Sequence, residues 1–150
     1  MNLITRTLNP LALIAALVFS TGALAEQMIS DGRYEIHYNA FNSSFITPEV
    51  AQLNGITRSQ YRALVNVAVL RLEEDGSKTP TTAIVKGSAA NLLGQAQTLE
   101  FKKIDEGTAL YYIVSFRFTE EENLKLSLSV QPDPNRPAYS IEFEQTFYTD

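Results

Sequence analysis

The chain predicts a mostly β fold, an immunoglobulin-like antiparallel β-sandwich of about seven strands with one short helix. Three observations point there. Apolar and polar residues alternate with a period of two in short runs between Arg33 and Glu144, turn residues separate those runs, and one stretch carries the signals that start a helix. Several runs have only one apolar face and tight connections, which favours two packed sheets over the alternative, a small closed β-barrel.

Arg33 to Phe41 sets Tyr34, Ile36, Tyr38 and Ala40 against Arg33, Glu35, His37 and Asn39, the pattern of a half-buried strand. A polar turn, Asn42-Ser43-Ser44, follows. Thr47-Pro48-Glu49 then offers a capping hydroxyl, a first-turn proline and an acid at the positive end of a helix, and Gly55 offers the left-handed stop, so Pro48 to Leu53 is expected to be helical. Arg62 to Glu73 is apolar on both faces and predicts a central strand. Glu74-Asp75-Gly76-Ser77 turns it into a strand over Thr81 to Ala89, with Pro80 at its start. Gly87 and Gly94 read as a bulge or turn with no lysine to cradle phosphate.

Beyond the turn Asn91 to Gly94, a strand over Gln97 to Ile104 points Leu99 and Phe101 inward, and Asp105-Glu106-Gly107 reverses it. Ala109 to Phe118 buries Leu110, Tyr112, Val114, Phe116 and Phe118; Glu120 to Asn123 is expected to be a hairpin into Leu124 to Val130. Pro132 to Pro137 cannot be strand, and the last run sets Tyr139, Ile141 and Phe143 against Ser140, Glu142 and Glu144.

Ahead of this domain, residues 1–25 have the three parts of a secretory signal in order: Arg6, an apolar stretch from Leu11 to Phe19, and small residues at Ala23 and Ala25. The stretch is far shorter than the ~20 residues that span a bilayer, so cleavage after Ala25 is expected, leaving residues 26–150 as one domain. That removes one base and no acid from a chain of formal charge −5. The acidic balance argues against nucleic acid, and the absence of cysteine excludes disulfides, thiolate chemistry and a lipidated membrane anchor. A secreted domain without disulfides points to a periplasmic address.

Chemistry is sparse. His37 is the single histidine, too few ligands for a metal site and unsupported as a catalytic base; neither a cofactor nor a catalytic residue is assigned. Glu73-Glu74-Asp75, Asp105-Glu106 and Glu120-Glu121-Glu122 fall at predicted turns, where solvated charges normally lie. The segment Asn39 to Arg62 gathers amides, hydroxyls, arginines and aromatics outside regular strands, and Asn42, Ser43, Arg58, Tyr61 and Arg62 are its candidate binding residues. The same segment also reads as a crossover plugging one end of the sandwich, with polar groups that satisfy its own backbone.

His37-Tyr38-Asn39-Ala40-Phe41-Asn42-Ser43-Ser44-Phe45, Gly55-Ile56-Thr57-Arg58-Ser59 and Asn66-Val67-Ala68-Val69, with Asn91-Leu92-Leu93-Gly94-Gln95 and Phe116-Arg117, resemble a family of small secreted proteobacterial proteins known as a domain of unknown function. The resemblance implies a periplasmic setting and transfers no activity, ligand or catalytic residue. Two readings follow. One is a periplasmic interaction module that meets a protein or envelope component through the Asn42 to Arg62 surface or a sheet edge. The other is a small-ligand carrier whose Tyr111, Tyr112, Phe116, Tyr139 and Phe143 line a cavity. An enzyme is not expected, because no acid, base and nucleophile set can be named.

Overall fold

The computed structural model describes residues 26–149, so the expected signal segment lies outside the described residues. Two antiparallel sheets face each other, and neither closes into a barrel. The first contains β1 (Gln27–Ser30), β2 (Tyr34–Asn42), β3 (Arg62–Leu72), β4 (Lys78–Pro80), β7 (Lys102–Asp105) and β8 (Leu110–Arg117). Its order is β1-β2-β3-β8-β7, with β4 also paired to β3. The second sheet, in the order β10-β9-β5-β6, contains β5 (Ile84–Ala90), β6 (Ala96–Glu100), β9 (Glu122–Gln131) and β10 (Tyr139–Phe147).

Ten strands lie among the described residues, against about seven expected. β1 precedes the first expected strand and pairs with it, Met28 opposite His37. The expected strand at Thr81 to Ala89 is corrected: the chain adds β4 to the first sheet, leaves it at Thr81, and enters the second sheet at Ile84. Likewise, the run at Gln97 to Ile104 breaks at Phe101, giving β6 to one sheet and β7 to the other. The segment at Glu120 is a crossing between sheets and not a hairpin, since β8 and β9 belong to different sheets. Alternation alone does not say which sheet receives the next strand, and this is where the reading failed.

Gly87 lies in the middle of β5, neither bulge nor turn, and its lack of a side chain is used for packing. A Cβ there would stand 2.9 Å from the Ser127 carbonyl oxygen and 3.0 Å from a Leu128 methyl. Inward-facing side chains of both sheets form the main core, including Ile36, Val65, Val67, Phe116, Leu126, Val130 and Phe147. Burial of such side chains is the main driving force for the fold.

The single α-helix among the described residues, α1 (Pro48–Leu53), has the expected bounds. The Thr47 hydroxyl accepts the Val50 N–H at 3.3 Å, and Gly55 takes φ +65°, which ends the element. Val50 and Ala51 pack with Phe41, Ile46, Leu64 and Ile113 in a second core on the outer face of the first sheet. β3 is therefore covered on both faces along its first half, as its apolar run requires.

Candidate interaction surface

One end of the sandwich collects the segment after β2, the β5–β6 hairpin, the β8–β9 crossing and the C-terminal residues. Its geometry starts at Ser43, which is 0% exposed. The Ser43 hydroxyl donates to the Ser59 carbonyl at 3.0 Å and accepts the Ser59 N–H at 2.9 Å. Arg58 donates from its guanidinium to the Ser44 carbonyl at 3.2 Å, and the Asn42 amide donates to the Tyr148 carbonyl at 2.7 Å. Tyr61 is anchored through its backbone, its carbonyl accepting the Phe118 N–H at 3.0 Å, while its ring is exposed.

The five sequence-predicted residues thus divide. Asn42, Arg58 and Tyr61 are brought together around the Ser43–Ser59 tie. Ser43 presents no surface, because its hydroxyl is spent on that tie, and its place among the binding residues is corrected. Arg62 leaves the loop as the first residue of β3, and its guanidinium donates to the Ser115 hydroxyl at 2.8 Å.

Sequence reasoning missed the tip of the β5–β6 hairpin. Leu92 and Leu93 are 84% and 85% exposed. Their side chains contribute nothing to closing the turn, which Asn91 holds: its Oδ1 accepts the Leu93 N–H at 3.0 Å and the Gln95 N–H at 2.9 Å, and its Nδ2 donates to Gln95 Oε1 at 2.8 Å. Gly94 at φ +81° completes it. The signal was two consecutive leucines inside an Asn-x-x-Gly turn, where apolar side chains have no local task.

A cleft of about 460 Å³ separates this tip from Tyr61, and Gln95, Gln97, Arg117 and Glu122 line it. Phe45 and Tyr148 are also exposed at this end, so five of the eight exposed large apolar side chains among the described residues gather here. Such a concentration marks interaction surfaces, whereas scattered exposed residues need no explanation.

The aromatic residues proposed to line a cavity do something else. Tyr112 and Phe116 are buried in the main core, and the Tyr112 hydroxyl accepts the Ala83 N–H at 2.9 Å. Phe143 packs on Tyr38 with ring centroids 5.2 Å apart, and Tyr139 on Tyr34 at 6.4 Å. These rings fill the space between the sheets, and Tyr111 lies on the opposite face of β8.

Comparison with known proteins follows the same fold. The family described as Domain of unknown function (DUF4426) matches over residues 28–150. A crystal structure of a DUF4426 family protein from Pseudomonas aeruginosa PAO1 is 33% identical, with TM-score 0.70, covering 83% of this chain and 96% of that one.

The chain belongs to the DUF4426 family.

More distant likenesses are FetP of uropathogenic Escherichia coli strain F11, at 11% identity and TM-score 0.57, covering 84% of this chain and 95% of that one, and a copper-bound variant of FetP, at 12% identity and TM-score 0.57, covering 84% and 97%. At such identities the DUF4426 chain shares their fold alone. No curated protein matches it. Among the described residues of this DUF4426 protein no helix is long and apolar enough to cross a membrane, and the sequence contains no cysteine.

Proposed function

We propose that this DUF4426 protein is a periplasmic interaction module that holds a protein or envelope component at the Tyr61–Leu92–Leu93 end of the sandwich, without catalysis. The observation that carries the reading is the pair of leucines. They stand in water at the tip of a hairpin whose closure does not depend on them, and each exposed side chain leaves apolar area unburied that a partner would cover. Tyr61 and Arg58 extend the patch with the residue types that most often anchor interfaces.

The address rests on the signal pattern of residues 1–25. Expression of FetP in the periplasm agrees with it. The copper of the FetP variant is not taken over, since this chain has one histidine and no cysteine, and among the described residues no cluster of three or more His, Cys, Asp or Glu side chains could hold a metal ion.

Affinity chromatography from the native periplasm tests the reading, comparing the wild type with L92S/L93S and with R58A/Y61A. Both variants are expected to keep the wild-type unfolding midpoint and to lose the partner that the wild type retains. Retention of the same partner by both variants would remove this end of the molecule from consideration.

A further inference from the structure

Past its last turn, α1 is closed by backbone bonds that need a left-handed residue. The Ile56 N–H donates to the Ala51 carbonyl at 2.8 Å and the Gly55 N–H to the Gln52 carbonyl at 3.4 Å, with Gly55 at φ +65°. The stop therefore favours glycine at position 55, and the residue before it is an asparagine. Of the nine asparagines in the sequence, only Asn54 precedes a glycine. That order has a chemical consequence. With no side chain on Gly55, its backbone nitrogen can approach the Asn54 carboxamide and close a five-membered imide ring.

The fold adds three features. The Gly55 N–H, which must be freed for attack, is held by the longest of the backbone bonds at the C-terminal end of the helix, Asn54 to Val50 measuring 3.2 Å and Ile56 to Ala51 2.8 Å. Gly55 is also uncrowded, since a Cβ placed on it would meet one atom within 4 Å, Lys102 Nζ at 3.8 Å. Finally, Lys102 Nζ donates to the Asn54 backbone carbonyl at 3.3 Å. That carbonyl and the Gly55 nitrogen belong to one conjugated peptide group, so the ammonium on the oxygen stabilises the anion formed when the nitrogen gives up its proton. One bond opposes the reaction, from Asn54 Nδ2 to the Val50 carbonyl at 2.9 Å. It lies at a helix end, where local opening costs least.

We propose that Asn54 is a site of spontaneous covalent modification promoted by Lys102. The Gly55 nitrogen loses its proton to hydroxide and bonds to Asn54 Cγ; the Cγ–Nδ2 bond breaks and ammonia leaves. Water then opens the imide at one of its two carbonyls, giving aspartate or isoaspartate, so one water is consumed for each ammonia released. The product carries a carboxylate beside Lys102, at the negative end of α1, in place of an amide that donated to the Val50 carbonyl. Isoaspartate also adds one carbon to the main chain between α1 and the loop of Arg58 and Tyr61. The chemistry is independent of any partner at that loop.

Peptide mapping by mass spectrometry tests this on the mature folded protein, aged in mildly alkaline buffer made with heavy-oxygen water. The peptide containing Asn54 is expected to convert ahead of those containing Asn91 and Asn135, to take up the heavy oxygen, and to split into aspartate and isoaspartate forms. K102M is expected to slow the conversion about threefold, less than the full effect of an adjacent charge because Lys102 is exposed to solvent. K102R, which keeps the charge, is expected to convert at the wild-type rate. In urea, wild type and K102M are expected to convert equally. Loss of the Lys102 bond by itself would free the helix end and speed the conversion, so the sign separates charge from restraint. An intact Asn54 in protein already converted at Asn91 or Asn135, a K102M rate equal to or above wild type in the folded protein, or the same K102M effect in urea would each overturn the proposal.

Discussion

The buried Ser43 hydroxyl fastens the Ser59 backbone through both its carbonyl, at 3.0 Å, and its N–H, at 2.9 Å, across sixteen residues of chain. This tie holds the loop that presents Arg58 and Tyr61. Replacing Ser43 by alanine removes both bonds; the Ser59 carbonyl still accepts the Arg62 N–H at 3.2 Å, so the partly buried Ser59 N–H is the group that loses its partner, and the loss is about 0.5–1.5 kcal/mol. Urea denaturation is expected to show a lower midpoint with an unchanged slope. An unchanged midpoint would mean that the loop is held by other contacts.

Gly87→Ala is expected to destabilise the protein although alanine is the better residue in a strand. The new Cβ would meet a backbone carbonyl at 2.9 Å, an atom that cannot swing away, and overpacking of this kind costs about 1–3 kcal/mol. Thermal unfolding reads it directly. Gly76→Ala is the contrast: its Cβ would meet nothing within 4 Å, so any loss there comes from φ +86° and not from crowding.

Glu35 supplies an acid-sensitive part of the stability. Its carboxyl is lowered from 4.5, chiefly by the hydrogen bond from Lys78, against the opposing effect of burial and with further help from His37. A lowered folded-state value means that the contribution is fully present above 4.5 and is lost as pH falls through the folded value. Glu35→Gln should therefore be less stable than wild type at neutral pH, with the gap closing on acidification below that range. A gap independent of pH would show that packing, and not charge, is responsible.

At the alkaline end the corresponding group is Tyr139, whose phenol is pushed up to about 12 by burial and then by its hydrogen bond to Asp31. The raised value favours the protonated form in the folded state. Its contribution is complete below 10 and disappears as pH rises towards 12. Absorbance titration of tyrosinate is expected to show a late-ionising group that Tyr139→Phe removes. If the variant keeps the late phase, another tyrosine is responsible for it.

How far the sequence carries depends on whether a signal is local. α1 was legible to the residue, because Thr47, Pro48 and Gly55 act within one turn of the helix ends. Strands with a long alternating pattern, such as β2 and β9, were legible too. Glu35 and Asn39, taken as outward and polar, are nevertheless buried, since neighbouring elements cover that face. Assignment of strands to sheets was not legible: Phe101 looks like one more inward residue of a continuous run, yet there the chain changes sheet. At the candidate surface, Arg58 and Tyr61 were singled out from composition, and the fold sets both in the loop tied by Ser43 and Ser59. Ser43 was misread because its burial depends on Ser59, sixteen residues away, and Leu92 and Leu93 were passed over inside a turn that already explained itself.

The central claim is that the Leu92–Leu93 tip is covered by a partner in the cell. Photo-crosslinking in living cells of the native host tests it, with a photoreactive phenylalanine analogue placed at Leu93 and, as a control, at the exposed Glu142 on the far strand β10. The account predicts a discrete higher-mass adduct from position 93, lost when Tyr61 is also replaced by alanine, and none from position 142. No adduct at 93, or the same adducts at both positions, would contradict it.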